Sequence, residues 1–185
     1  MPKKVTILIL GDGSVGKSCM LMRYLKDEYV DTYDPTIQDT FRKTVSIGGE
    51  SVDVEFIDTS GQEEYYSSST EATIKSGDGF LFVYSILIPD SLEKLELVVQ
   101  NVFLKREMTA ANPTAGIVVC GNKCDRDADR KISKETGAQF AAKYKADFFE
   151  SKRDIHYPFL FPYTPHFFPF LFSFRQNVCE HQSSF

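Results

Sequence analysis

The chain has 185 residues, 42% hydrophobic and 25% charged, which fits one globular domain and excludes wholesale disorder, collagen or a coiled coil. Its 21 basic and 26 acidic residues leave a net charge of −5, which disfavours nucleic acid or a polybasic membrane contact as the main partner. Four cysteines, Cys19, Cys120, Cys124 and Cys179, are too few and too scattered for a disulfide scaffold, so reduced thiols in the cytoplasm are expected.

Val5 to Leu10 is an apolar run of buried-strand length, too short for a signal-peptide core before Gly11-Asp12-Gly13 interrupts it. No run approaches the roughly 20 apolar residues of a membrane-spanning helix. Cys19 to Lys26 has the character of a helix. Phe41, Val45 and Ile47 recur at even spacing, Gly48-Gly49 offers a two-residue turn, and Val52, Val54 and Phe56 alternate again, predicting a hairpin. Gly79 to Ile86 and Gly116 to Cys120 are continuous apolar strands, as expected when helices cover both sheet faces. Asp90 precedes Glu93 by three residues, as in a capping arrangement, and Leu92, Leu95, Val99, Val102 and Phe103 follow at helical spacing. A further helix opens at Ser133 and runs through Tyr144, followed by a strand over Ala146 to Glu150. The alternation predicts an open, mostly parallel α/β sheet with helices on both faces and one antiparallel hairpin.

Three strand ends carry chemistry. Gly11-Asp12-Gly13-Ser14-Val15-Gly16-Lys17-Ser18 fits G-x-x-x-x-G-K-[ST] between a strand and a helix, the phosphate loop of a P-loop NTPase. Gly13 and Gly16 let the backbone curl so that the amides of Ser14, Val15, Gly16, Lys17, Ser18 and Cys19 converge on phosphate oxygens at a helix N-terminus. Lys17 then bridges the β- and γ-phosphates, and the Ser18 hydroxyl is a ligand for Mg²⁺. Asp58-Thr59-Ser60-Gly61-Gln62 ends the next buried strand. There Asp58 is placed to hold the metal, Gly61 to offer an amide to the terminal phosphate, and Gln62 to orient an attacking water. Asn122-Lys123-Cys124-Asp125 ends a third strand. The Asp125 carboxylate can accept from two guanine donors at once, at about 1.5–3 kcal/mol for each charged hydrogen bond, where adenine presents an acceptor; the Lys123 stem can lie along the base. Taken singly, the bland alternatives are a glycine turn for the first, which its motif and placement disfavour, a helix cap for Asp58, and a polar turn for the third, which as an isolated tetrapeptide is the commoner reading. Their order along the chain favours one nucleotide site.

With these residues in view, positions 1 to 151 resemble a Ras-family small GTPase. Tyr33-Asp34-Pro35-Thr36-Ile37-Gln38-Asp39 is similar to that family's first switch and effector segment, with Gln38 where many members carry Glu. The resemblance implies that Thr36 joins Ser18 and Asp58 in ligating Mg²⁺, that Tyr29 packs against guanine opposite Lys123, and that Tyr65 to Thr70 is a serine-rich second switch. It further implies GTP and GDP as ligands, slow hydrolysis by a signalling switch, effectors bound through Tyr33 to Thr40, and partners that activate hydrolysis and exchange nucleotide. No His precedes residue 156, so a Ser-His-Asp hydrolase or His-rich metalloprotease has nothing to build on. Cys120 and Cys124 have no second pair at zinc spacing.

Residues 152 to 185 are a different text, holding 10 of the 25 Phe and Tyr, 4 of the 8 Pro, all 3 His and none of the 11 Gly. Lys152-Arg153-Asp154 breaks the base-contacting loop that the family begins as Glu150-Ser151 does here. Pro158, Pro162, Pro165 and Pro169 forbid the family's long final helix, so that helix is expected to be missing. If Ser151 and Lys152 are encoded AGT-AAG, the junction contains GTAAG, the start of a typical intron, and the tail is read as translated intron. A membrane-interface segment is the competing reading. A prenylation ending is absent, since Gln182 occupies the required place and Cys179 lies too far inside. Two functional classes stay open: a switch that hydrolyses GTP, or a nucleotide-binding interaction protein or truncated product without efficient turnover.

Overall fold

The computed structural model describes residues 3–26, 38–47, 49–59, 61, 68–109 and 115–151. Six strands, β1 (Lys3–Leu10), β2 (Gln38–Ile47), β3 (Glu50–Thr59), β4 (Gly79–Ser85), β5 (Gly116–Asn122) and β6 (Asp147–Glu150), form one sheet in the order β2-β3-β1-β4-β5-β6. Only β2 and β3 pair antiparallel; β1 pairs parallel with β3 and β4, and β4, β5 and β6 continue parallel. The helices are α1 (Lys17–Lys26), α2 (Ser68–Ser76), α3 (Asp90–Lys105) and α4 (Lys134–Lys143), with a short 3-10 stretch over Cys124–Asp129. The mostly parallel P-loop NTPase fold predicted from the sequence is the fold observed.

Alternation along β1 divides the core into two layers. Val5, Ile7 and Ile9 face the α1 side with Leu21 and Phe56, whereas Leu8 and Leu10 face the side of α2, α3 and α4 with Phe80, Phe82 and Val99. Every residue of β4 is buried, as its unbroken apolar run requires of a central strand covered on both faces. Because chain direction across the sheet reverses at β1, the carboxyl ends of β1, β3 and β5 open onto one crevice, where ligands of such sheets bind.

The structure departs from the sequence reading at two helices, correcting one expectation and adding one element. Asp90 does not cap α3: Pro89 (φ −52°, ψ −49°) is already helical, and no side chain caps that end. Instead the buried Ser91 hydroxyl accepts from the Ser85 amide at 3.1 Å and donates to the Ile88 carbonyl at 2.6 Å, tying the helix start to β4. Asp90 and Glu93 lie within the first turn, where their charge opposes the positive helix end. The second difference is α2, a helix that the sequence does not announce and that overlaps the Tyr65 to Thr70 segment only at its start. Ile74, fully buried, is what attaches it to the core. By contrast Ser133 caps α4 as its position predicts, accepting from the Thr136 amide at 3.1 Å.

Candidate nucleotide-binding site

The phosphate loop leaves β1 at Gly11, where a Cβ would stand 2.1 Å from the Val83 carbonyl oxygen on neighbouring β4. Only glycine allows strand and loop so close. Ser14 takes a left-handed conformation (φ 62°) and Gly16 follows at φ 94°. Those reversals curl the loop into the concave turn whose amides can receive an anion ahead of α1. Lys17, the first residue of α1, folds back beneath the loop and donates to the carbonyls of Gly11 (3.0 Å) and Asp12 (2.9 Å). It is 6% exposed. Burial pulls its ammonium down to about 8, against the nearby carboxylates of Asp58 and Asp12, so at neutral pH it is mostly charged. A buried cation among carbonyls at the mouth of an amide nest is a receptor for polyvalent anion.

At the end of β3, Asp58 is buried and hydrogen-bonded to Ser18. Burial pushes its carboxyl upward, opposed by that hydrogen bond and by the charge of Lys17. Its Oδ1 is buried with no hydrogen-bond partner. An orphaned carboxylate oxygen beside a serine hydroxyl fits a hard divalent cation bound by few protein oxygens and completed by phosphates. Among the described residues there is no cluster of three or more His, Cys, Asp or Glu that would hold a metal by itself. Gly61 packs directly on the loop: a Cβ there would lie 2.4 Å from the Gly13 amide nitrogen and 2.6 Å from the Asp12 carbonyl carbon. Its own amide donates to the Thr59 carbonyl at 3.2 Å. To serve a terminal phosphate, as the sequence suggests, that amide must exchange partners.

The third motif closes the crevice from β5. Asn122, 9% exposed, donates through Nδ2 to the Val15 carbonyl at 2.8 Å, and its Oδ1 accepts from the Lys123 amide at 2.8 Å and the Ser151 hydroxyl at 2.9 Å. Lys123 adopts a left-handed conformation (φ 69°) that turns its side chain across the loop, where Nζ donates to the Ser14 carbonyl at 2.7 Å. Burial, and then the charge of Arg126, lowers the pKa of Lys123. Asp125 stands exposed at the start of the 3-10 stretch. Phosphate loop and base motif are thus joined by direct hydrogen bonds across more than a hundred residues.

Residues 6–155 match the Ras family. The chain belongs to the Ras family. It is 35% identical over 149 residues to "Ras-like protein 2" of Mucor circinelloides f. lusitanicus, covering 80% of this chain and 73% of that relative. It is also 35% identical over 149 residues to "Ras-like protein" of Laccaria bicolor, with 80% of this chain and 69% of the relative covered. Membership implies binding of guanine nucleotides and a GTPase-type activity.

In this Ras-family chain Gly13 to Cys19, Asp58, Gly61, Asn122, Lys123 and Asp125 all stand around the predicted crevice. Tyr29, Thr36 and Gln62 lie outside the described residues, as do Tyr33 to Ile37 of the effector segment and all of residues 152 to 185. Asp39 and Thr40 are exposed on edge strand β2. Arg42 is engaged on that strand, its Nε donating to Glu55 Oε1 at 2.9 Å. Three contributors were not read from the sequence. The Ser151 hydroxyl orients Asn122, and the Ser151 carbonyl accepts from the Cys124 amide at 3.0 Å, so Glu150-Ser151 does hold the base motif from below. Arg130 grips Glu150 through its two terminal guanidinium nitrogens, at 2.6 and 3.0 Å. Lys94 of α3 pairs with Asp12 at 2.8 Å. Each pairing joins distant parts of the chain, so no local spacing announces it.

Proposed function

We propose that the chain is a GTP-hydrolysing molecular switch in signal transduction, alternating between GTP and GDP forms. The observation that carries this reading is the junction of all three motifs in one crevice: Lys17 buried beneath the loop, Asp58 with an unpartnered oxygen beside it, and Asn122 bonded to the loop at Val15. The amides of Gly13 through Cys19 bind the phosphates, and Asn122, Lys123 and Asp125 select and hold guanine, with Tyr29 on the base's other side. Ser18, Asp58 and Thr36 would hold Mg²⁺, which when bound neutralises charge on the β- and γ-phosphate oxygens.

Gln62 orients water for in-line attack on the γ-phosphorus while Lys17 and the loop amides stabilise the charge gathering on the departing diphosphate. Arg42 is paired with Glu55, and residues 27 to 40 contain no arginine, so the first switch brings no internal finger to the transition state. Hydrolysis alone is therefore slow, and an activating partner supplies the missing cation. Loss of the γ-phosphate releases Thr36 and Gly61, and the effector segment Tyr33 to Thr40 loses affinity for its partner.

Single-turnover phosphate release from the purified full chain tests the enzymatic reading. With no arginine supplied by the first switch, the expected rate is on the order of 10⁻⁴ s⁻¹, that of Ras acting alone. Tight GTP binding with no release above the uncatalysed background would leave a nucleotide-binding interaction protein in place of a hydrolase.

A further inference from the structure

Asp12 places a carboxylate in a loop whose task is to receive polyphosphate. Its backbone carbonyl accepts from Lys17, and its charge acts on the Lys17 ammonium. Left alone, that negative charge would oppose binding of the nucleotide and compete with its phosphates for Lys17. It is not left alone. From α3, 82 residues further along the chain, Lys94 donates to Asp12 Oδ2 at 2.8 Å. Lys94 remains 57% exposed and the Asp12 side chain 23% exposed, so the pair sits at the rim of the crevice. Asp12 also abuts Gly61, whose Cβ would come within 2.6 Å of the Asp12 carbonyl carbon. The charged groups acting on this pair are Lys17 at Asp12 and Asp90 at Lys94.

We propose that Lys94 is a positioning residue for the nucleotide's terminal phosphate: it neutralises Asp12 and draws that carboxylate toward α3, leaving Lys17 free for the γ-phosphate. The proposal rests on the nucleotide-binding reading above and adds a residue outside all three motifs. An exposed ion pair contributes little to folding, whereas an uncompensated negative charge beside the terminal phosphate acts through the charge of the ligand. Removing Lys94 therefore weakens a triphosphate more than a diphosphate.

The test is titration of the full chain with a non-hydrolysable GTP analogue and with GDP, for the unaltered protein, Lys94→Ala, Lys94→Glu, Lys94→Arg and the double variant Lys94→Ala with Asp12→Asn. Lys94→Ala should raise the triphosphate Kd roughly three- to tenfold relative to that of GDP, and Lys94→Glu further. Lys94→Arg should restore the ratio, as should the added Asp12→Asn, and 0.5 M salt should shrink the difference. A merely structural role would weaken both nucleotides alike and would not be rescued by Asp12→Asn. An unchanged triphosphate-to-diphosphate ratio in Lys94→Glu, or no rescue in the double variant, overturns the proposal while leaving guanine-nucleotide binding intact. Failure of the unaltered chain to bind either nucleotide overturns the functional reading and this proposal with it.

Discussion

Gly16 shows how one position can govern two motifs. A Cβ added there would lie 2.5 Å from Asn122 Nδ2, and the backbone stands at φ 94°, so alanine both strains the loop and pushes the asparagine off Val15. Gly16→Ala should cost about 1–3 kcal/mol in chemical denaturation and abolish tight nucleotide binding; retention of both would contradict the geometry. Cys120 makes a second prediction. Burial pushes its thiol up to about 12, opposed by its hydrogen bonding with Ser151, so at pH 8 almost none is thiolate. Reactivity is set by the thiolate, and Cys120 should resist iodoacetamide in the folded chain and become labelled only on unfolding. Mass spectrometry showing native-state modification of Cys120 would refute this. Such contacts explain why the sites were only partly legible. Motif, strand-end placement and order along the chain together mark Lys17, Asp58 and Asn122 as candidates, because each signal is local to its own segment. The partners that orient Asn122 lie 107 residues before it and 29 after it, and only tertiary packing brings them there.

Elements differ in how much their sequences say. Strands β1, β4 and β5 could be read directly, because strands covered on both faces must be apolar throughout. Helix α4 was legible from its cap, and Ser133→Ala should lower stability by about 0.5–2 kcal/mol without changing nucleotide affinity, since the cap is remote from the crevice. A large change in affinity would mean that α4 is coupled to the site. Two helices misled. The Asp90 to Glu93 spacing matches a capping pattern, but Pro89 begins the helical turn earlier and Ser91 secures it from inside. Helix α2 offers Ile74 to the core and otherwise little apolar periodicity, so packing rather than pattern defines it. Strand β6 is a four-residue edge whose end is clamped by Arg130 on Glu150, with Glu150 11% exposed. Arg130→Ala should destabilise by about 1–3 kcal/mol, read by denaturation, because it strips a half-buried carboxylate of charged hydrogen bonds. It should also weaken guanine-nucleotide binding through Ser151, the next residue, whose hydroxyl orients Asn122.

At the scale of the whole molecule, the sheet's strand order brings three separated sequences to one edge. The phosphate loop after β1, Asp58 at the end of β3 and the Asn122-Asp125 turn after β5 share one edge only because β3 and β4 flank β1 and β5 follows β4; the proposed function makes them one ligand site. On the proposed reading, discrimination between purines falls to Asp125, which stands exposed at the start of the 3-10 stretch. Calorimetric titration of the purified full chain with GDP and with ADP, at matched magnesium and salt, measures that discrimination directly. The account predicts guanine nucleotide bound at least about 100-fold more tightly, the equivalent of two charge-assisted hydrogen bonds. Equal affinities, a preference for ADP, or no uptake of either nucleotide by folded protein would contradict it.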